Sequence, residues 1–390
     1  MDTSQFITEP PGQLVRINVE GGRDWAFVPE PLSPDWVLPS ELWPLVVEAH
    51  RELGTLAGLG RHLPNPAILL RPMASREALE SSRIEGTYAT ARQLLLYDLD
   101  PTEPSSERDP ANDAREVRNY QLALQHGLSS PLPLSLRLIR ELHDRLLTGV
   151  RGQERTPGEF RRIQVAIGHD RRFVPPPPAE LATCLDAFER HLNRTSSIDP
   201  LVECFRVHYQ FEAIHPFLDG NGRVGRLLLA MMLVRWCRLD PLWLYLSEYF
   251  ERHYEEYIDG LFAVSARGDW NRWIRFCLEA TIRQAQRTAA RIDQLVALRQ
   301  DYLGRLAKRR GSVRLPAIVE SLLERPLVRV ADLPARFAVT YPTAASDVKR
   351  LVKAGILRES QTAAGTRTYI APDIFRIVYD EEIDEPAGAQ

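Results

Sequence analysis

Apolar residues recur at helical spacing through most of the chain. Leu42, Leu45 and Val46 begin the first apolar face, which predicts a helix over residues 41–59. The same spacing predicts further helices over 75–85, 114–125, 134–147, 179–192, 201–214, 223–237, 247–265 and 270–306. In the helix over 75–85, Ser75 has the chemistry of an N-cap and Gly86 that of a left-handed C-cap. The pattern predicts a mainly α-helical protein.

Three stretches depart from this periodicity. Residues 1–40 are rich in proline and predict irregular structure, and residues 99–113 predict an exposed linker. Between residues 163 and 174, Ile163, Val165 and Ile167 alternate with other residues before a Gly-His-Asp turn. This alternation predicts a short β-hairpin.

The character of the chain changes near residue 307, where three basic residues, 308–310, follow the long helix. Helical patterns then fit 315–324, 330–337 and 342–354, and two strands follow around an Ala-Ala-Gly-Thr turn. Three helices and a hairpin predict a winged helix-turn-helix domain over 307–375. The acidic end from residue 372 predicts disorder, and we place the tail at 376–390.

Composition narrows the class of protein. The 390 residues are 44% hydrophobic and 26% charged, as in ordinary globular proteins. The longest apolar run, 227–234, is too short for a membrane-spanning helix. The N-terminus lacks the basic and apolar regions of a secretory signal. The widely spaced Cys184, Cys204, Cys237 and Cys277 predict free thiols in a reducing compartment, so we expect a cytoplasmic protein.

Basic charge is concentrated near the C-terminus. Residues 308–371 carry twelve Lys and Arg against five Asp and Glu, although the whole chain has a net charge of -3. The winged unit is therefore a candidate for DNA binding. The residues expected to face a groove or phosphates are Thr343, Ser346, Lys349, Arg350, Lys353, Arg358 and Arg367. A docking or dimerisation domain, and hence a homodimer, is an equally weighted alternative.

The stretch HPFLDGNGRVGR, residues 215–226, has an unusual concentration of chemical groups between two predicted helices. Pro216 disfavours helical geometry at His215, so His215 should end the preceding helix. The partial negative charge of that helix end should favour the protonated imidazole, which makes a better base. Asp219 offers the hard oxygens that Mg²⁺ prefers.

The second half of this stretch suits a phosphate chain. Gly220 and Gly222 can adopt positive φ, and the amides of residues 220–223 would form an anion site at the start of the next helix. Arg223 and Arg226, three residues apart, should face the same side of that helix. Each feature alone is more often structural. Together they predict a base, a metal ligand and phosphate clamps, which is the chemistry of nucleotide phosphoryl groups.

The same stretch resembles the signature of the Fic family, HPFx[D/E]GNGRxxR, at every fixed position. The segments HYQFEAIHPF, PGEFRRIQVAIG and GDWNRWIRF are also similar to Fic proteins, and the resemblance extends over about residues 30–290. It implies a helical core with a β-hairpin flap over the active site. It also implies Mg²⁺-dependent transfer of AMP from ATP to a Ser, Thr or Tyr hydroxyl of a protein.

The resemblance implies residue roles. His215 would deprotonate the target hydroxyl, Asp219 would hold Mg²⁺, Arg226 would grip the terminal phosphates and Phe217 would anchor the loop. The residues implied to contact ATP are Asp219, Gly220, Asn221, Gly222, Arg223, Val224, Gly225 and Arg226 of the motif, Val165, Ala166, Ile167 and Gly168 of the flap, and Tyr257 beside adenine. A core aromatic explains Tyr257 equally well.

A second stretch, SSRIEG at residues 81–86, is similar to the family's inhibitory motif, [S/T]xxxE[G/N]. The resemblance implies that Ser81, Glu85 and Gly86 end an inhibitory helix at about 75–86, and that Glu85 pairs with Arg226. ATP would then lose the guanidinium that grips its terminal phosphate. We therefore expect an N-terminal region at 1–110 and a catalytic core at 111–306.

The leading hypothesis is a protein adenylyltransferase autoinhibited by Glu85, with self-modification as one outcome. One alternative is AMP removal, with Glu85 positioning a water. Another is kinase chemistry like that of the related Doc proteins, whose motif usually has Ala where this chain has Gly220. A third alternative is a DNA-binding regulator whose core only senses nucleotide.

Overall fold

The computed structural model describes residues 1–7, 10–19, 22–61, 66–101, 109–307, 314–361 and 367–381. The α-helices in these ranges are α1 (Trp43–Arg61), α2 (Ala67–Ile84), α3 (Ala91–Leu99), α4 (Pro110–Ser129), α5 (Leu136–Leu147), α6 (Pro178–Leu192), α7 (Pro200–Ile214), α8 (Asn221–Cys237), α9 (Ser247–Arg252), α10 (Tyr254–Arg267), α11 (Trp270–Ala307), α12 (Arg314–Glu324), α13 (Leu333–Phe337), α14 (Tyr341–Lys353) and α15 (Pro372–Tyr379). The strands are β1 (Gly12–Val19), β2 (Gly22–Pro29), β3 (Leu327–Val328), β4 (Arg358–Gln361) and β5 (Arg367–Ile370). The prediction of a mainly helical protein is confirmed.

Helix α7 is the centre of the core. It packs against α6, α8, α10 and α11, and all of its residues are buried except Pro200 and Glu212. Helix α8 packs on α7 and is buried over most of its first thirteen residues. The short connection between these two helices carries the sequence motif. A rigid, buried pair of helices therefore positions the candidate site.

Helix α2 lies between this core and the C-terminal part of the chain, with contacts to α4, α8, α9, α12 and α15. Its buried Arg76 donates to Glu248 on α9 at 3.0 Å, to the Val378 carbonyl at 2.7 Å and to Asp380 at 2.9 Å. Arg291 on α11 joins the same cluster, at 2.9 Å from both Glu248 and Asp380. Buried ion pairs thus tie α2 to the core and to the chain's C-terminal helix.

The N-terminal segment corrects one prediction. Residues 1–40 were expected to be irregular, but β1 and β2 form an antiparallel hairpin that pairs Gly12 with Pro29. The alternation of Val15, Ile17 and Val19 is a strand signal that the surrounding prolines obscured. The hairpin supports the flap, because the Phe27 amide donates to the Val174 carbonyl at 2.8 Å.

Helix α2 begins eight residues earlier than predicted. Ser75 is not an N-cap but lies inside the helix, where its hydroxyl donates to the Arg71 carbonyl at 3.0 Å. Pro72 lies within α2, because packing on several helices outweighs the lost backbone hydrogen bond. The C-terminal signal was right, since Gly86 has φ +83.

Four further elements differ from prediction. Helix α3 was missed although Thr90 and Gln93 form a capping box, and α4 begins inside the predicted linker. The helix predicted over 247–265 is two helices that meet at His253. The segment 163–174 forms only one bridge, in which Ile167 and Phe173 exchange two backbone hydrogen bonds of 2.8 and 3.1 Å. The flap is therefore a minimal hairpin.

The C-terminal unit has the predicted order of elements. Helices α12, α13 and α14 accompany an antiparallel sheet of order β3-β5-β4. Ser346, Lys349 and Lys353 are exposed on α14, and DNA binding there stays a prediction. Residues 308–310, the turn at 363–366 and residues 382–390 lie outside the described residues.

The expectation of a disordered end from residue 372 was wrong over the first eight residues. They form α15, whose Ile374, Phe375 and Val378 are buried against the rest of the protein. The acidic composition of this segment obscured its apolar residues, which recur at helical spacing.

The four cysteines are free, with Cys237 half-buried and the others buried. Within the described ranges, no helix has both the length and the apolar character needed to cross a membrane.

The cluster around Glu248 should be important for stability. Burial alone would raise the pKa of Glu248, but hydrogen bonds from Arg291 and the charge of Arg76 hold this pKa well below its usual range. Glu248→Gln leaves buried arginines without their carboxylate, which typically costs about 3–5 kcal/mol. We expect urea unfolding to show a loss of this size. Glu256→Gln, whose carboxylate is 65% exposed, is the control. Equal stability of the two variants would contradict the importance of the cluster.

Candidate active site

His215 ends α7 in a left-handed conformation, with φ 50 and ψ 63. Its amide still donates to the Phe211 carbonyl at 3.0 Å, so the residue belongs to the last helical turn. Pro216 then redirects the chain, as the sequence predicts. This tight corner holds the imidazole at the junction of α7 and α8.

Arg161 fixes this corner to the flap, although sequence reasoning did not single it out. Its buried guanidinium donates to the His215 carbonyl at 2.8 Å, the Pro176 carbonyl at 2.5 Å and the Ile163 carbonyl at 3.2 Å. Burial lowers the pKa of Arg161 to about 10. The Arg161 side chain therefore acts as a cap for α7 and as a strut between the catalytic corner and the flap.

The loop after His215 is held from inside. The Asn221 side chain accepts from the Phe217 amide at 2.8 Å and donates to the Phe217 carbonyl at 3.0 Å. The Phe217 ring stacks on His143 with 3.8 Å between ring centres, so Phe217 anchors the loop as predicted. His143 Nε2 lies 3.0 Å from the Asp219 carbonyl and its Nδ1 accepts from the Gly158 amide at 2.8 Å. This pattern requires a neutral His143, and burial lowers its pKa to about 4.

Asp219 is the exposed carboxylate of the loop. Its side chain is 45% exposed and lies 3.6 Å from Arg223. No group of three or more His, Cys, Asp or Glu residues is placed to hold a metal in the described part of the chain. Mg²⁺, however, commonly uses one protein carboxylate together with phosphate and water oxygens. Asp219 therefore fits a metal that arrives with a nucleotide.

The start of α8 is a place for an anion. Gly220 has φ +74 and lets the chain enter the helix, whose first amides lack helical acceptors. Gly222 follows, and a Cβ there would collide with the Glu85 carboxylate. The acidic end of the Glu85 side chain thus lies against the same helix start that suits a phosphate.

Arg226 donates three hydrogen bonds to the end of α2. Its Nε donates to the Ser81 hydroxyl, and its Nη2 donates to the Ser81 carbonyl and to Glu85 Oε1, each at 2.8 Å. Arg226 is 2% exposed, whereas Glu85 is 30% exposed. Burial alone would raise the pKa of Glu85, but the charges of Arg226 and Arg223 lower it, so the pair is ionic.

Arg223 does not share this partner. Its Nη1 lies 3.4 Å from the buried Glu116 of α4, which also accepts from Arg151 at 2.7 Å and from the Thr87 hydroxyl at 2.7 Å. The two motif arginines therefore bind to different helices, Arg223 to α4 and Arg226 to α2. The remaining motif residues pack inward, with Val224 in the core and Gly225 against α7.

A cavity of about 110 Å³ opens beside His215. Its walls are mostly apolar, with Ile167 and Phe173 from the flap and Ile258, Leu261 and Phe262 from α10. The mostly apolar lining suits the flat face of an aromatic ring such as a nucleobase.

Only some of the residues predicted to contact ATP line this cavity. Ile167 and Gly168 of the flap line it, whereas Val165 and Ala166 do not. Tyr257 was expected beside adenine, but the structure places it in the core, where its hydroxyl lies 2.9 Å from His208 Nε2. Helix α10 has apolar side chains on two faces, and consecutive side chains on a helix point about 100° apart. Ile258, which the sequence reasoning passed over, faces the cavity instead.

The protonation state of His215 differs from the prediction made from the helix end. Burial and the charge of Arg161 lower the pKa of His215 to about 4, although the Glu85 carboxylate opposes this. The negative end of α7 does not offset desolvation. His215 is therefore neutral near pH 7, which is the form that can accept a proton.

Two family models match the segments that build this site. The Fic/DOC family N-terminal model matches residues 43–129, and the Fic/DOC family model matches residues 133–233. The second match contains α5 to most of α8 and the whole motif. The chain belongs to the Fic family. The resemblance predicted from residues 215–226 is thus confirmed.

Relatives in this family carry an activity in their names. Protein adenylyltransferase Fic of Drosophila virilis is 40% identical over 160 residues, or 39% of this chain and 31% of that protein. Its counterpart in Drosophila persimilis is 37% identical over 160 residues, or 39% of this chain and 30% of that protein. The chain therefore spans about 30% of the length of these curated relatives.

A solved structure shows that the Fic fold extends well beyond the motif. A Fic family protein from Desulfovibrio desulfuricans G20 is similar with a TM-score of 0.58 and 20% identity. The match covers 87% of this chain and 98% of that one. The fold is therefore shared across both the helices of the site and the helices that surround them.

The strut role of Arg161 can be tested by a change in stability. Arg161→Met leaves several buried carbonyls without a donor, at about 1–3 kcal/mol for each unsatisfied group. We expect urea unfolding to show a loss of roughly 3 kcal/mol or more in total. Arg162→Met, whose side chain is 87% exposed, should change stability little. Similar curves for both variants would refute the strut role.

Proposed function

We propose that this Fic protein is an ATP-dependent protein adenylyltransferase that Glu85 holds in an inhibited state. One observation carries the proposal. A neutral base, a solvent-facing carboxylate and an anion-binding helix start lie at one corner, and the Glu85 carboxylate is bound there to Arg226. The names of the Drosophila relatives support adenylyl transfer as the reaction.

In the proposed reaction, a Ser, Thr or Tyr hydroxyl of a protein attacks the α-phosphorus of ATP. A new oxygen–phosphorus bond forms while the bond to pyrophosphate breaks, and the hydroxyl proton passes to His215. Little covalent chemistry is needed, so positioning and charge neutralisation provide the catalysis. Asp219 would hold Mg²⁺, which neutralises phosphate charge.

The inhibition follows from competition for one guanidinium. Arg226 is buried and held by hydrogen bonds to Ser81 and Glu85, whereas Glu85 is at a helix end and partly exposed. An ATP phosphate that needs Arg226 must therefore displace the carboxylate or bind elsewhere. The negative charge of Glu85 against Gly222 adds repulsion at the helix start. Departure of Glu85 from this position would restore an open phosphate site.

The proposal predicts a strong gain of activity in Glu85→Gly and in the isosteric Glu85→Gln. With ATP labelled separately at the α- and γ-phosphates, both variants should retain only the α label on their own chain or on acceptor proteins. Transfer should rise at least about tenfold over wild type, because a charged competitor worth more than about 1.4 kcal/mol is removed.

Controls distinguish the rival reactions. His215→Ala in the Glu85→Gly background should reduce transfer by about 10²- to 10⁴-fold. Arg226→Ala in the same background should return transfer to the wild-type level. Retention of only the γ label would mean phosphoryl transfer. A Glu85→Gly variant less active than wild type would make Glu85 a participant in AMP removal.

The neutral state of His215 predicts a pH dependence. A lowered pKa keeps the base unprotonated as the pH falls, and loss of Glu85 removes a charge that raises this pKa. In Glu85→Gly, the single-turnover transfer rate should stay level between about pH 8 and about pH 6 and fall only in more acidic buffer. The apparent pKa of this fall should lie below the ordinary histidine value of 6.5. A midpoint at or above 6.5 would show that His215 is not buried in the active form.

A further inference from the structure

One carboxyl of the site has no assigned part in the reaction. Glu212 is three residues before His215 on α7 and lines the same cavity. Its Oε1 is buried and has no hydrogen-bond partner in the described part of the chain. The deeply buried carboxyls of the core, such as Glu116 and Glu248, each accept several hydrogen bonds. A buried acceptor without a donor indicates that its partner is a ligand.

The fold makes room for this carboxyl. A Cβ on Gly225 would collide with Glu212 Oε1, so the glycine in α8 lets the side chain lie against that helix. Glu212 is thereby placed close to Arg226 and to Glu85, whose charges both act on it. The carboxyl consequently lies between the phosphate end of the site and the cavity.

The order of groups along the cavity identifies what reaches Glu212. Phosphates belong at the start of α8 and at Arg226, and the apolar walls of Ile258, Leu261 and Phe262 suit a base. In a nucleotide, the sugar lies between these two parts. Ribose hydroxyls are donors that a Glu or Asp side chain binds in other nucleotide sites.

We propose that Glu212 is a specificity-determining residue that binds the 2′- and 3′-hydroxyls of the ribose of the donor nucleotide. The inference rests on the proposed function, because it requires a ribonucleotide with its phosphates at α8. Burial raises the pKa of Glu212 to about 8, against the charge of Arg226. An uncharged carboxyl does not repel the phosphate chain as Glu85 does, so the two carboxyls have opposite effects on binding.

The test uses the full chain with Glu85→Gly, and calorimetry as a readout that does not depend on transfer. ATP, 2′-deoxyATP, 3′-deoxyATP and inorganic triphosphate are the probes. The deoxy analogues should bind roughly five- to tenfold more weakly than ATP, as expected for one lost hydrogen bond. With Glu212→Leu added, ATP should lose the contacts of both hydroxyls, bind at least as weakly as the analogues bind before this change, and lose its advantage over them, while inorganic triphosphate should bind unchanged.

Two further measurements distinguish a role of Glu212 in ribose binding from a role in stability. Glu212→Leu removes an unpaired polar group from an apolar cavity, so thermal unfolding should show no loss of stability. Glu212→Gln, which can still bind hydroxyls, should retain at least part of the preference for ATP. Persistence of the full preference for ribose in Glu212→Leu would overturn the proposal, as would a change in base preference among ATP, GTP and CTP instead. Ribose-selective binding without label transfer would contradict the proposed function alone.

Discussion

The contact between Arg226 and the end of α2 is the central interaction of the candidate active site. Arg226 is buried on α8, and all the donors that it directs at α2 are taken by Ser81 and Glu85. A buried guanidinium needs such partners, so α2 must stay in place unless another anion takes over. The same interaction thus stabilises the fold and, under the proposed function, closes the phosphate site. Stability and the proposed inhibition are coupled because they use one side chain.

The position of α2 also depends on distant parts of the chain. Arg76, about one and a half helical turns before Ser81, is bound to the core through Glu248 and to the C-terminal helix through Asp380. Arg71 of the same helix pairs with Glu324 of α12 at 3.1 Å. A shift of α12 or α15 would therefore act on the helix that carries Glu85. The C-terminal unit is physically placed to influence the site without touching it.

A feature could be predicted from the sequence when residues next to it in the chain determine it. The corner at His215 and the cap at Gly86 could be predicted because Pro216 and a flexible glycine impose them locally. The start of α2 could not, since Pro72 is tolerated only through tertiary packing. The lowered pKa of His215 reverses the expectation from the helix end, because burial outweighs a helix-end charge that acts only locally.

Long-range partners account for the features of the site that were missed. Arg161 lies just before the segment predicted as a hairpin, 163–174, and nothing local shows that its guanidinium caps α7. Tyr257 and Ile258 are both apolar neighbours on α10, so only the packed structure decides which one faces the cavity. Glu212 reads as one charged residue on a helix. Only the absence of a partner for its Oε1 among the described residues, beside Arg226, distinguishes it from a solvated carboxylate.

The two carboxyls beside Arg226 show how environment divides roles between identical groups. Glu85 is partly exposed and paired, so its pKa is lowered and it is present as an anion that, in the proposed function, competes with phosphate. Glu212 Oε1 has no hydrogen-bond partner among the described residues, and burial raises the pKa of Glu212, so it carries little charge near neutral pH. Only a group that can leave is suited to inhibition, and only a fixed, uncharged group is suited to sit beside a bound phosphate chain. Helix ends and helix interiors supply these two properties, which is why one carboxyl ends α2 and the other lies within α7.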